Sequence, residues 1–298
     1  MITESVLTIG LPYGIIHGKP PLVNVFVAQC PRGGDDQVVI AVLGLGEAGS
    51  AIALDLVRAG VRVLGWDPNV RGDLREIPLA ESDQSAVAEA DVVLSVNSAA
   101  VALDVATRLA PFLRTGKLFA DLNTSSPRLK EAIARVIEAH GALFADVALM
   151  APVPGRGLRT PALVSGSGAE QFVAIFAPLG MPVQSVGPRP GAAARQKLLR
   201  SVFMKGLAAV VLESLAAAER VGCREWMWKE IARELTEADE SLLRRLVEGS
   251  YRHAARRIEE MRAAAELLKE VQTPPHVTMA SLEWLKGLAR TAEGSGEG

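Results

Sequence analysis

Residues Val38 to Asp67 read VVIAVLGLGEAGSAIALDLVRAGVRVLGWD, and this stretch decides the fold. The apolar run Val38 to Leu43 predicts a buried strand. It enters Gly44-Leu45-Gly46-Glu47-Ala48-Gly49, a G-x-G-x-x-G. Ser50 to Ala59 is amphipathic and predicts a helix that stops at Gly60. Val61 to Trp66 predicts a second strand, closed by Asp67.

Each glycine has a task. Gly44 permits the tight turn out of the strand, Gly46 lets backbone approach a pyrophosphate, and Gly49 allows helix to pack closely on strand. The helix N-terminus offers unpaired N–H groups and the positive end of its dipole. Leu45, Glu47 and Ala48 complete that loop. Asp67 lies where a carboxylate accepts hydrogen bonds from adenosine ribose hydroxyls. Strand, glycine turn, helix and acid together predict a dinucleotide site. A carboxylate repels a 2′-phosphate, so NAD is the simpler cofactor, with NADP left open. Arg71 is able to reach such a phosphate if its loop folds back, although a solvated loop arginine is the plainer reading.

Downstream, strand and helix alternate. Glu81 to Ala90 predicts a helix, and the run after Asp91 a strand ending near Val96-Asn97. Ser98 to Phe112 is helical by period. Leu118 to Leu122 predicts a strand that leads into Asn123-Thr124-Ser125-Ser126-Pro127. Ser126 is placed as N-cap and Pro127 as first residue of a helix reaching Ala139. Leu143 to Ala148 is a further strand. The pattern predicts an α/β fold with a parallel, doubly wound sheet, in which ligands sit beyond the carboxyl ends of the strands. Gly44 to Gly49, Asp67, Val96, Asn97, Asn123 and Thr124 all fall at those ends and so address one crevice. In the Pro- and Gly-rich loop Met150 to Pro161, Arg156 and Arg159 are the only charges, suited to a carboxylate or phosphate or simply to solvent. Ala162 to Ser165 reads as a strand and Gln171 to Ala177 as a short helix.

At Gly191 the character changes. Ala192 to Val221, Glu225 to Leu235, Glu240 to Leu268 and Met279 to Ala289 all read as helix, with Pro274-Pro275 before the last. The expected division is residues 1–36 as an extension, 37–190 as a dinucleotide domain and 191–298 as an all-helical domain. Between Val202 and Ala218 the only polar residues are Lys205, Glu213 and Ser214. A helix that apolar should be buried against another domain or a second subunit, which predicts a homodimer. Lys197, Ser201 and Lys205 recur at four-residue spacing and share a face. A lysine desolvated there suits acid/base chemistry. Lys205 needs a partner, with Glu213 on the same helix as a candidate.

The chain has 298 residues, is 49% hydrophobic and carries a formal net charge of −2. That supports a sizeable core and gives no bulk attraction to nucleic acid. No apolar run reads as long enough to span a bilayer. Cys30 and Cys223 lie far apart, which fits a reducing compartment and predicts a cytoplasmic protein. No metal-ligand spacing appears. Residues 1 to 36 lack a basic segment followed by an apolar one and read as a disordered tail or an over-extended translation start.

From about Val38 to Leu288 the chain resembles the β-hydroxyacid dehydrogenase family, which includes 3-hydroxyisobutyrate and 6-phosphogluconate dehydrogenases. VLGLGEAGSAIALDLVRAG is similar to its nucleotide motif. Val96-Asn97 matches the position of the family's loop after its fourth strand. Asp121 to Pro127 resembles its D-x-S-T-x-x-P stretch, with Asn123 where serine is usual. Gly191 to Leu198 resembles its G-x-x-x-x-x-K-L segment. The resemblance implies that Lys197 is catalytic, passing the substrate hydroxyl proton while hydride moves to the nicotinamide. A poorly characterised branch shares K-G-L-x-A (Lys205 to Ala209) and H-A-x-R-R (His253 to Arg257).

Departures bear on substrate. Where the family usually has D-A-P-V-S-G-G, this chain has Asp146-Val147-Ala148-Leu149-Met150-Ala151-Pro152. Ser201 replaces a usual asparagine. Ser125, Met150, Arg156, Arg159, Ser201, Lys205 and His253 are therefore the candidate contacts to a small, anionic substrate. Imine reductases share the architecture and commonly lack the lysine, which makes imine reduction an alternative. A dinucleotide-binding regulatory protein without turnover is another.

Overall fold

The computed structural model describes residues 37–69 and 74–294. The expectations for residues 1–36 and for Arg71, and the last four residues of the expected helical domain, lie outside the described residues.

The first half is the alternation expected. Its elements are β1 (Val39–Leu43), α1 (Glu47–Arg58), β2 (Arg62–Trp66), α2 (Asp83–Glu89), β3 (Val92–Ser95), α3 (Ala102–Leu109), β4 (Leu118–Asp121), α4 (Pro127–Glu138) and β5 (Leu143–Leu149). Then come β6 (Ala162–Ser165), α5 (Ala169–Phe176) and β7 (Val183–Ser185). The strands form one seven-stranded sheet in the order β2-β1-β3-β4-β5-β6-β7. β1 to β5 are parallel, but β6 runs antiparallel to β5, and β7 parallel to β6. The sheet is thus mostly parallel, a correction to the all-parallel expectation. The loop after β5 returns directly without a crossover helix, and a direct return gives an antiparallel neighbour.

The continuous apolar run of β1 follows from burial on both faces. Ile40 and Val42 pack with Ile52 and Leu56 of α1 and with Phe172 and Phe176 of α5. Val39, Ala41 and Leu43 point the other way, onto Val87, Leu109, Phe119, Ile133 and Phe144. Side chains alternate along a strand, so a strand covered on both sides must be apolar throughout.

From Ala192 on, the described residues are helical: α6 (Ala192–Arg220), α7 (Arg224–Thr236), α8 (Glu240–Arg252), α9 (Ala254–Glu270) and α10 (His276–Gly294). The single helix expected from Glu240 to Leu268 is two, broken at His253. Glu213 does not pair with Lys205 as expected. Its carboxylate accepts from the N–H groups of Val277 (2.7 Å) and Thr278 (2.8 Å) and from the Thr278 hydroxyl (2.7 Å), so it caps α10. Burial works against the charged Glu213, yet these hydrogen bonds, Thr278 first, outweigh it and hold its pKa below the usual value.

The middle of α6 is not covered by the other described residues. Leu199 is 65% exposed, Val202 73%, Phe203 65% and Leu212 68%. By length and composition alone α6 is apolar enough to cross a membrane, which revises the expectation that no run approaches that length. Its first turn, however, is tied into the sheet.

Candidate functional site

The glycine turn lies between the ends of β1 and β3, where the strand order reverses. Gly44 has φ +98°, and a Cβ there would meet Val96 O at 2.4 Å. A Cβ on Gly49 would stand 1.8 Å from Gly44 O. Only glycine permits this turn and this closeness of α1 to the loop. Around Gly46, by contrast, nothing lies within 4 Å of a Cβ. Gly46 is the N-cap of α1, and no side chain caps the helix. Open space in front of uncapped helix N–H groups fits a pyrophosphate. Glu47 is exposed, Ala48 half-buried and Leu45 buried.

The Asp67 carboxylate accepts from Leu45 N (2.7 Å) and Asn69 N (2.7 Å). It thereby fixes the loop, and each oxygen keeps a lone pair for a ribose hydroxyl. Asn97 donates through Nδ2 to Ser95 Oγ (3.1 Å). Asn123 does the same (3.1 Å) and also donates to Asp121 Oδ1. A carboxylate only accepts, so the amide must turn Nδ2 toward Asp121 and its oxygen away. Among the described residues Asn123 Oδ1 and Ser125 Oγ are buried without a partner. They line a small pocket with Thr124, Lys130, Asp146, Ala194 and Lys197.

Lys197 stands on the second turn of α6, half-buried, with Nζ donating to Thr124 Oγ1 at 2.8 Å. Burial, then the nearby charge of Lys130, push its pKa below the ordinary 10.5, against the pull of Asp146. Lowered proton affinity is what an amine needs to accept a proton near neutral pH.

Behind it lies a network that the sequence reading missed. Lys130 is 1% exposed, and Asp121 and Asp146 are fully buried. Lys130 Nζ donates to Asp121 O (2.7 Å) and is paired with Asp121 Oδ2 (2.9 Å) and Asp146 Oδ1 (3.2 Å). Asp146 Oδ2 accepts from Ala194 N (3.0 Å) and from Ser165 Oγ (3.2 Å), and Ala193 N donates to Ser165 Oγ (3.0 Å). The start of α6 is thus capped from β5 and β6. One signal existed in the sequence: Lys130 falls on the apolar face of α4, with Ile133, Ala134 and Ile137.

The structure unites Asn123, Thr124, Ser125 and Lys197, and unites Gly44–Gly49 with Asp67, Val96 and Asn97. Ser201 is half-buried one turn beyond Lys197, and Lys205 is exposed one turn further. Met150 is half-buried at the end of β5, its N–H donating to Pro161 O (2.7 Å). Arg156 and Arg159 do not join the Lys197 pocket. Their loop lies along α1, where Leu158 N donates to Asp55 Oδ2 (2.9 Å), eight residues and about 12 Å of helix beyond Glu47. His253 is exposed at the joint of α8 and α9 and is likewise not among the residues around Lys197. Among the described residues no cluster of side chains is fit to hold a metal ion.

Residues 39–168 match the NAD binding domain of 6-phosphogluconate dehydrogenase, and residues 218–288 match a domain of unknown function, DUF1932. A conserved hypothetical protein from Sinorhizobium meliloti 1021 is 32% identical, with 84% of this chain and 88% of that chain covered and a TM-score of 0.57. A probable 3-hydroxyisobutyrate dehydrogenase from Mycobacterium bovis is 27% identical over 61% of this chain, which spans 65% of that protein's length. An imine reductase variant from Myxococcus stipitatus in complex with NAD+ shares the fold, at 22% identity and a TM-score of 0.73, with 86% of this chain and 94% of that chain covered. With an NAD-binding domain, a helical second half and relatives of these kinds, the chain belongs to the β-hydroxyacid dehydrogenase-like family.

Proposed function

We propose that this protein is a nicotinamide-dependent dehydrogenase of a small, anionic β-hydroxyacid-like substrate, with Lys197 as the proton acceptor. The observation that carries the reading is the seat of Lys197 Nζ, half-buried and 2.8 Å from Thr124 Oγ1, just past β4 at the same carboxyl edge of the sheet as the glycine turn after β1. The bound cofactor supplies the hydride acceptor. Neutral Lys197 takes the hydroxyl proton as the substrate carbon loses hydride, becoming an ammonium while the alcohol becomes a carbonyl. Asn123 Oδ1 and Ser125 Oγ, unpaired and buried, serve to orient the substrate or the nicotinamide edge. Burying them without a partner is costly, so a ligand that pairs them binds better for it. The Asp67 carboxylate favours NAD over NADP by repelling a 2′-phosphate.

The exposed apolar middle of α6 is the seat of a second copy of the chain, giving a homodimer. Lys197→Met tests the reading. Alcohol oxidation should fall at least about a hundredfold while NAD affinity stays, and undiminished turnover would refute the role of Lys197. Imine reduction is the second reading, drawn from the shared fold. It requires turnover of cyclic imines with reduced cofactor and none of hydroxyacids.

A further inference from the structure

Asn123, Ser125 and Lys197 do not explain why Lys130 and Asp146, which line the same pocket, are buried together with Asp121. Stability alone does not require such a group. Replacing a buried ion network by apolar side chains of similar volume is often neutral or stabilising. The three groups are nevertheless closely joined. Lys130 Nζ donates to Asp121 O and forms ion pairs with Asp121 Oδ2 and Asp146 Oδ1. The second Asp146 oxygen takes the N–H of Ala194, in the first turn of α6. Lys197 follows Ala194 by three residues and so stands over the same face.

We propose that Lys130 is a positioning residue: with Asp121 and Asp146 it clamps the first turn of α6, and it sets a like charge beside Lys197 in the same pocket. The two effects share one group. Asp146 bound only to the helix end would leave a buried anion facing Lys197 and hold that lysine protonated. Lys130 takes up that anion from the other side and adds a like charge of its own, which favours neutral Lys197. Among the described residues the charged groups acting on Lys197 are Lys130 from α4, Asp146 from β5 and Lys205 from its own helix. Asp121 of β4 stands behind Lys130, and β6 contributes the neutral Ser165. α10 meets α6 at Glu213, sixteen residues further along. The consequence for catalysis rests on the dehydrogenase reading; the electrostatic claim does not.

The test reads Lys197 directly. Lysines of the full-length protein are reductively dimethylated with a carbon-13 label and titrated by NMR, the Lys197 signal being identified by its loss in Lys197→Arg. Lys130→Met should raise the Lys197 pKa, because a repelling charge is gone and Asp146 is unshielded. Asp146→Asn should lower it, because an attracting charge is gone while an acceptor for Ala194 remains. Opposite shifts are the signature, since a merely structural role would move both variants alike. If Lys130→Met does not fold, Lys130→Met/Asp121→Asn replaces it, keeping the net buried charge and predicting the same rise. Shifts of one sign, or no shift in folded variants, would overturn the proposal; so would an Asp146→Asn protein in which the Lys197 pKa does not fall. Opposite shifts without turnover of any alcohol would uphold the clamp and sink the dehydrogenase reading. Turnover that depends on Lys197 without the shifts would do the reverse.

Discussion

Two glycines of one loop should fail in different ways. Alanine at Gly49 places a Cβ 1.8 Å from Gly44 O, where ordinary contact begins at 3.4 Å. The obstacle is backbone, so it cannot swing aside as a side-chain tip would. α1 must back away from the turn and disturb Ile52 and Leu56 in the core. Such overpacking costs about 1–3 kcal/mol. At roughly 2–4 °C per kcal/mol, the melting temperature should fall by about 2–12 °C. Alanine at Gly46 meets nothing within 4 Å. Its backbone, with φ −68°, suits any residue. Its stability cost is only that of a poorer N-cap, about 0.5–1 kcal/mol. Its Cβ occupies the space left for a pyrophosphate, so NAD affinity should drop at least about tenfold, or ~1.4 kcal/mol. Scanning calorimetry and isothermal titration with NAD read the two effects separately. A Gly46→Ala protein that binds NAD as tightly as the native one would refute the placement of the pyrophosphate.

Other outcomes follow from the same geometry. Lys197→Met should lower kcat/KM for the oxidised substrate by about 10²–10⁴-fold and abolish the rise of rate with pH through the Lys197 pKa, read by steady-state kinetics. The native Lys197 pKa lies below 10.5, so between the two values the unfolded chain binds the proton more; stability should rise with pH across that window, and denaturant titrations of Lys197→Met should lose the rise. Glu213→Ala should cost about 1–2 kcal/mol by freeing the N-terminus of α10. That contribution is complete above the ordinary Glu value of 4.5 and fades as pH falls through the lowered native value, which acid unfolding of both proteins measures. Val202→Glu with Leu212→Glu should give a folded monomer by light scattering; an unchanged dimer would move the interface elsewhere.

Much of the architecture was legible because local chemistry and fold agree. Gly44 to Gly49 followed by an amphipathic helix admits few other structures, and Ser126-Pro127 marks the start of α4, with Ser126 Oγ accepting from Leu129 N (3.2 Å). β7 was missed because Val183–Ser185 is too short to show a period. The break at His253 carries no proline or glycine. It is a tertiary turn, with α10 packed on both α8 and α9. Arg156 and Arg159 looked like anchors because a loop's charges are visible and its seat is not. Lys130 drew no notice in the sequence because its partners, nine residues before and sixteen residues after it, meet only when the strands are side by side. Glu213 was read against its own helix, while its true partners lie sixty-four and sixty-five residues on.

The most direct measurement is cofactor reduction by the purified protein across β-hydroxyacids, aldonates and their phosphates, run beside Lys197→Met with NAD affinity measured for both. The account predicts turnover of one substrate class by the native protein, at least about a hundredfold less by the variant, and equal NAD binding. Silence from the native protein across the panel, with NAD still bound, would contradict it and leave a dinucleotide-binding protein whose chemistry is not alcohol oxidation.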